Sequence, residues 1–192
     1  MDYPEYAKVG DKLYKINTDF RMAIKCNEIA TDESIGDYER ALGIIYVLFG
    51  EEGINALEDH ERLLELAKKY LLCGKELDTR NNEEPDMDYT EDMDYIEASF
   101  MSDYHIDLSN EKMHWWKFTK LINGLSNSEL GNCCVLNRIR NLRNYDVKDI
   151  KDRKEREKIL KAKNEVALKK NRKKATKEQQ ESAENLLKML NI

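Results

Sequence analysis

Long apolar runs are missing from this sequence: the longest, Ile44 to Phe49, has six residues, far short of the roughly eighteen that begin to span a bilayer. Only eight glycines and two prolines punctuate 192 residues, too few turn formers for a many-stranded fold. The four cysteines, Cys26, Cys73, Cys133 and Cys134, are too scattered for a disulfide framework and lack zinc-ligand spacing. A reducing compartment is the simplest reading of them. The acidic opening, Met1-Asp2-Tyr3-Pro4-Glu5, has neither the basic nor the apolar stretch of an export signal. Export and membrane insertion are not expected.

Charge, by contrast, is abundant and unevenly placed. The net charge is -6, yet residues 1–110 carry 27 acids against 11 bases, and residues 111–192 carry 11 acids against 21 bases. A chain divided in this way can attract copies of itself head to tail, or bind a basic partner at one end and an acidic one at the other. The simpler alternative is that both halves are ordinary solvated helix faces.

The pattern of apolar residues predicts a mainly α fold: a helical bundle with a short N-terminal β-hairpin and a long basic C-terminal helix. Tyr6, Lys8 and Leu13-Tyr14-Lys15-Ile16 flank Gly10-Asp11, a pair suited to a tight turn. Thr18 is placed to cap a helix that stops near Asp32. A second helix is expected from about Gly36 to Phe49, with Tyr38, Ala41, Leu42, Ile45 and Phe49 inward and Gly50 closing it. A third follows from about Gly53 to Cys73, facing inward through Leu57, Leu64, Ala67 and Leu71, with His60 packed on that side.

Residues 75–89, KELDTRNNEEPDMDY, read as a solvated acidic linker. They divide the chain into an N-terminal subdomain, 1–74, and a second, 90–168, with a basic hinge and amphipathic helix over 169–192. Thr90 is placed to cap a helix whose first turn holds Glu91, Asp92 and Asp94. Ser109 is expected to cap another from Asn110 to Asn123, where Trp115, Phe118, Leu121, Ile122 and Leu125 share one face. On helical geometry Trp116 points about 160° away, beside Met113 and among Lys112 and Lys120. That second large face is the candidate partner surface, together with Leu186, Leu187 and Leu190 of the last helix. A short helix around Leu130, Cys133, Cys134 and Leu136 comes next, then a polar surface helix over Asp146 to Leu168.

No residue pattern announces chemistry. The glycines are dispersed, so no phosphate loop exists, and no serine or cysteine lies in a recognisable nucleophile context. His105 and His114 flank one loop and are the nearest approach to a metal or acid–base pair. No catalytic residue, cofactor or metal is expected, and the chain reads as non-enzymatic. Nucleic-acid binding is the alternative, through the base-rich stretch Lys148 to Lys177. Asp149, Asp152, Glu155, Glu157 and Glu165 interrupt that stretch, and no aromatic residue follows Tyr145 for stacking. A salt-bridged surface helix is favoured.

Within DMDYIEASFMSDYHIDLSNEKMHWWKFTKLINGL, residues 92–125, the run Asp94-Tyr95-Ile96, Ser99-Phe100, Tyr104-His105-Ile106-Asp107-Leu108 and His114-Trp115-Trp116-x-Phe118-x-x-Leu121 resembles the gene-product-fifteen family of long-tailed bacteriophages infecting Gram-positive bacteria. The strong part spans about Asp92 to Leu168, and Thr18-Asp19-Phe20-Arg21 after a hairpin fits the family's beginning. His105 stands where the family pattern has glycine. The resemblance implies a helical tail-assembly chaperone, encoded just before the tape-measure protein. Such a protein coats the tape measure in the host cytoplasm, self-associates, and leaves before the virion is finished; a structural tail component is the competing reading.

Overall fold

In the computed structural model, which describes residues 3–76, 85–127 and 133–169, the chain is mainly α. A hairpin of β1 (Tyr6–Val9) and β2 (Lys12–Lys15) precedes α1 (Phe20–Thr31), α2 (Asp37–Asn55), a 3-10 turn (Leu57–Asp59) and α3 (His60–Leu71). Then come α4 (Met93–Tyr104), α5 (Trp115–Asn123), α6 (Val135–Asn144) and α7 (Arg153–Val166). No helix among the described residues is long and apolar enough to cross a membrane.

The chain divides into two compact units, and the division is discontinuous in sequence: Met1–Glu83 with His105–Leu125, and Glu84–Tyr104 with Ser126–Ile192. The tryptophan helix α5 therefore belongs with the hairpin and α1–α3. The sequence-based division at an acidic linker assigned it to the second subdomain instead. Long-range packing, which linker composition does not encode, decides the matter.

In the first unit the hairpin forms as its turn chemistry dictates. Val9 pairs with Lys12 across a two-residue turn in which Gly10 adopts φ +58. Ala7, Tyr14 and Ile16 face the core, against α2 and α3, while Tyr6, Lys8, Leu13 and Lys15 face out. Asp19, not Thr18, caps α1: its carboxylate accepts from the Arg21 amide at 3.0 Å. Thr18 is drawn elsewhere, since its carbonyl accepts from the Trp115 amide at 2.8 Å.

Helix α2 is kinked at Gly50 (φ +65, ψ -156), where its first helical stretch closes as expected and a short second stretch runs on to Asn55. At that break the Leu48 carbonyl accepts from the Asn17 amide at 2.7 Å. The expected inward face of α3 is rotated: Leu63, Ala67 and Tyr70 are buried, whereas Leu57 is 75% exposed on the 3-10 turn. A helical period extended back to Leu57 fails because the chain is not α-helical there. Tyr38, expected inward on α2, is 67% exposed. His60 is half-buried with Nε2 2.9 Å from the Ile54 carbonyl oxygen.

In the second unit α4 packs on α6 through Ile96, Phe100 and Leu136. Ser99 ties the two helices: its hydroxyl donates to the Tyr95 carbonyl and accepts from the Leu136 amide at 3.0 Å. Asp88 rather than Thr90 supplies the turn ahead of α4, accepting from the amides of Thr90 and Glu91. Asp92 is only 1% exposed, so it is not the solvated dipole partner expected in a first turn. Its carboxylate receives both Nη atoms of Arg143 at 2.7 Å. Arg143 also donates to the carbonyls of Asp86 and Val166, at 2.8 and 2.7 Å. The Asp86 carboxylate accepts from Arg140 and Asn144. Residues 85–92 are thus fastened to α6, and the described end of the acidic stretch is no solvated linker. Helix α7 is shorter than expected and buries none of its residues. Asp152 caps it through the Glu155 amide at 3.0 Å, and Leu168, 1% exposed, anchors the chain at its C-terminal end.

Candidate functional site

The entrances of α1 and α5 are joined. Asp19 and His114 form an antiparallel bridge, with Phe20 N–H donating to the Met113 carbonyl at 2.9 Å and Trp115 N–H to that of Thr18. His114 caps α5: its Nδ1 accepts from the Trp116 amide at 3.0 Å. Nδ1 is therefore the unprotonated nitrogen, and Nε2 donates to the Pro4 carbonyl at 3.1 Å. Both ring nitrogens are committed to protein partners, which removes His114 as a free ligand or base. Among the described residues no three His, Cys, Asp or Glu side chains are grouped to hold a metal ion.

From this capped start the two tryptophans reach one target. Trp115 Nε1 donates to the Leu71 carbonyl and Trp116 Nε1 to that of Tyr70, each at 2.9 Å. These are carbonyls of the last turn of α3; that of Tyr70 also accepts from the Cys73 amide at 2.9 Å, while that of Leu71 is one of those a helix end leaves open. The two indoles meet adjacent carbonyls, as an amphipathic ring with a donor at its edge is suited to do. Trp115 is buried and stacks on Phe118, which in turn stacks on Phe20 with centroids 4.3 Å apart. Trp116 is half-buried and stacked on Tyr70. Gly74 has φ +74, a left-handed backbone that favours glycine, and a Cβ there would crowd the Trp116 ring at 3.3 Å. Burial also pushes the Tyr70 phenol up and the Cys26 thiol up to about 12, which keeps both neutral at physiological pH.

The second face assigned from helical spacing is thereby redistributed. Met113 is buried, because α5 begins at Trp115 and the extended residues before it do not follow a helical wheel. Lys112 is exposed ahead of the helix. Trp116 and Lys120 do meet in one cluster: the Lys120 ammonium lies 4.8 Å from the centre of the Tyr3 ring, and Tyr3 stacks on His114. That cluster closes the helix junction. Leu186, Leu187 and Leu190 lie outside the described residues.

Arg21, named in the sequence only as part of the run Thr18-Asp19-Phe20-Arg21, joins the α1 cap to the loop before α5. It donates to the Asp19 carboxylate and to the carbonyls of Leu108 and Glu111. Its place two residues after an N-cap acid is a signal too common to have given it that role. Apolar exposure in this unit falls elsewhere: Tyr6 (54%), Leu13 (59%), Tyr46 (56%) and Leu57 (75%). Asp59 lies among them. Its carboxyl is held below the usual carboxylate range by the Tyr14 hydroxyl at 2.6 Å and by Lys12.

The hairpin-led, mainly α scaffold is thus held by a Trp-Trp fork, and the sequence that builds it matches a family model. The model of the family described as Bacteriophage Gp15 protein matches residues 4–168, and the chain belongs to that family. It is therefore a phage structural or assembly protein. No curated protein and no solved structure matches it. The matched span ends at the buried anchor Leu168.

Proposed function

We propose that this chain is a non-enzymatic tail-assembly chaperone of a long-tailed phage infecting a Gram-positive bacterium. It binds the tape-measure protein in the cytoplasm of the infected or lysogenic host, self-associates, and is left out of the mature virion. Family membership over residues 4–168 is the observation that carries this reading. Two features support it physically. Exposed apolar side chains on a small helical scaffold provide a docking surface without chemistry. The acidic and basic halves favour contact between copies.

Co-expression with the long helical reading frame expected next to its gene tests the role directly. A soluble complex of the two, with this chain absent from purified virions, is the expected result. Its presence in virions would make it a structural tail component. For self-association, light scattering is expected to show an oligomer at low salt that shrinks near 1 M salt, where the Debye length is about 3 Å.

Nucleic-acid binding is the second reading, favoured by the exposed bases of α7, Arg153, Lys154, Arg156, Lys158 and Lys161. It requires a shift of labelled DNA that weakens steeply as salt rises.

A further inference from the structure

The outer edge of β2 carries unused hydrogen-bonding groups. Ile16 N–H donates to the Glu5 carbonyl at 2.8 Å, which sets the alternation along the hairpin. Ala7–Tyr14 and Val9–Lys12 are then the bonded pairs, and Leu13 and Lys15 turn their N–H and C=O groups away from β1. Among the described residues those outward main-chain groups meet no hydrogen-bond partner. The row ends at Asn17, whose outward N–H is taken by the Leu48 carbonyl at 2.7 Å, and Leu13 and Lys15 remain a short template for a further strand.

The exposed apolar side chains gather around the same edge. Leu57 lines a notch with Lys12, Tyr14, Glu52 and Glu58 at the turn end of β2. Tyr46 lines another with Lys15, Met22 and Val47 at the far end. The outward face between them shows Tyr6 and Leu13. Free main chain flanked by two partly apolar notches is the arrangement strand addition uses, with backbone bonds for affinity and alternate side chains for selectivity.

We propose that β2 receives an extended segment of a partner protein as a third strand of the sheet. Charge selects its side chains. Lys12 is held by Glu58 at 2.9 Å and Asp59 at 3.2 Å, so Glu52 leaves the Leu57 notch net negative and suited to a basic residue. The Tyr46 notch takes an apolar one. The notches lie about four residues apart, roughly 13 Å in an extended chain, which places both side chains on one face of the incoming strand. A second copy of β2 fits poorly, because Lys12 and Lys15 would face a like-charged edge. The inference holds whichever protein supplies the segment, and so stands apart from the tape-measure assignment.

The test uses the full chain and the capped octapeptide Ser-Lys-Thr-Thr-Thr-Val-Thr-Ser, together with its reversed sequence, read by amide hydrogen exchange. Saturable binding of one of the two is expected, with Leu13 and Lys15 amides protected about tenfold or more. Methylating alternate peptide nitrogens abolishes it, and Glu52→Lys weakens it about tenfold. Leu13→Pro removes an outward donor without touching the ladder to β1 and abolishes binding, whereas Lys8→Pro, on the opposite edge, leaves it intact. If Leu13→Pro fails to fold, the methylated peptide and Glu52→Lys carry the test. Four results overturn the proposal. They are no binding up to about 1 mM, equal binding of the methylated peptide, protection confined to other residues, and protection of Leu13 and Lys15 that rises with protein concentration alone.

Discussion

In the first unit Phe20, Phe118 and Trp115 stack in series, and the one side-chain polar group they bring inside is the Trp115 indole N–H, already aimed at the Leu71 carbonyl. The second unit, with a smaller apolar contribution from Ile96, Phe100, Leu136 and Leu168, closes around a buried guanidinium–carboxylate pair. The difference concerns tolerance. An aromatic core loses stability with every atom removed, because a cavity is left behind. A buried ion pair loses most when one partner goes, since the other is left uncompensated, and can be replaced as a pair at little cost.

The largest effects should expose this contrast. Trp115→Ala and Phe118→Ala are each expected to cost about 3–5 kcal/mol. Denaturant unfolding measures the loss, and amide exchange should place it in α1, α3 and α5. Asp92→Ala should cost a similar amount, about 3–5 kcal/mol, with exchange quickened in α4 and α6. The double variant Asp92→Leu, Arg143→Met is then expected to recover most of that loss, a rescue unavailable to the first unit. A double variant no better than Asp92→Ala would show that Arg143's bonds to the Asp86 and Val166 carbonyls, not the ion pair, hold the second unit.

Acid should act on both units through different carboxylates. The Ser126 amide holds the Asp103 carboxyl below the usual carboxylate range, as the Tyr14 hydroxyl does for Asp59. A lowered folded value means that each contributes fully above the unfolded pKa of about 3.9 and loses its contribution as pH falls through the folded one. Stability should therefore be flat near neutrality and fall below about pH 4. Asp103→Asn should flatten the fall reported by α4 and α6 while leaving that of the hairpin unchanged, measured as urea midpoints resolved by exchange.

The smallest effect tests the connection. His105, where the chain passes from one unit to the other, has φ +55, a left-handed conformation that strains a residue with a Cβ. His105→Gly should raise stability by about 1 kcal/mol, seen as a higher melting temperature.

Legibility followed distance along the chain. Gly10-Asp11 announced the hairpin because a tight turn is written in adjacent residues. The buried face of α5, Trp115, Phe118 and Ile122, followed from its period alone, while Leu121 on the same expected face is half-buried and Leu125 is buried just past the helix end. Where α5 starts was not legible: nothing local says that Met113 and His114 bridge Phe20 and Asp19. Asp92 read as a dipole acid because its partner, Arg143, lies 51 residues away. Leu57 and Met113 were misplaced for one reason, a helical wheel carried beyond the helix it described.

The detour in the chain has a consequence for the order of synthesis. The last turn of α3 leaves the ribosome with the Leu71 carbonyl awaiting its indole partner, and Trp115 follows Leu71 by 44 residues. At roughly 5–20 residues per second that is a wait of about 2–9 s, during which the whole of α4, a helix of the other unit, is made. The N-terminal unit therefore cannot finish first. A nascent chain halted near residue 85 should remain sensitive to protease in α3, and one halted well past residue 125 should not.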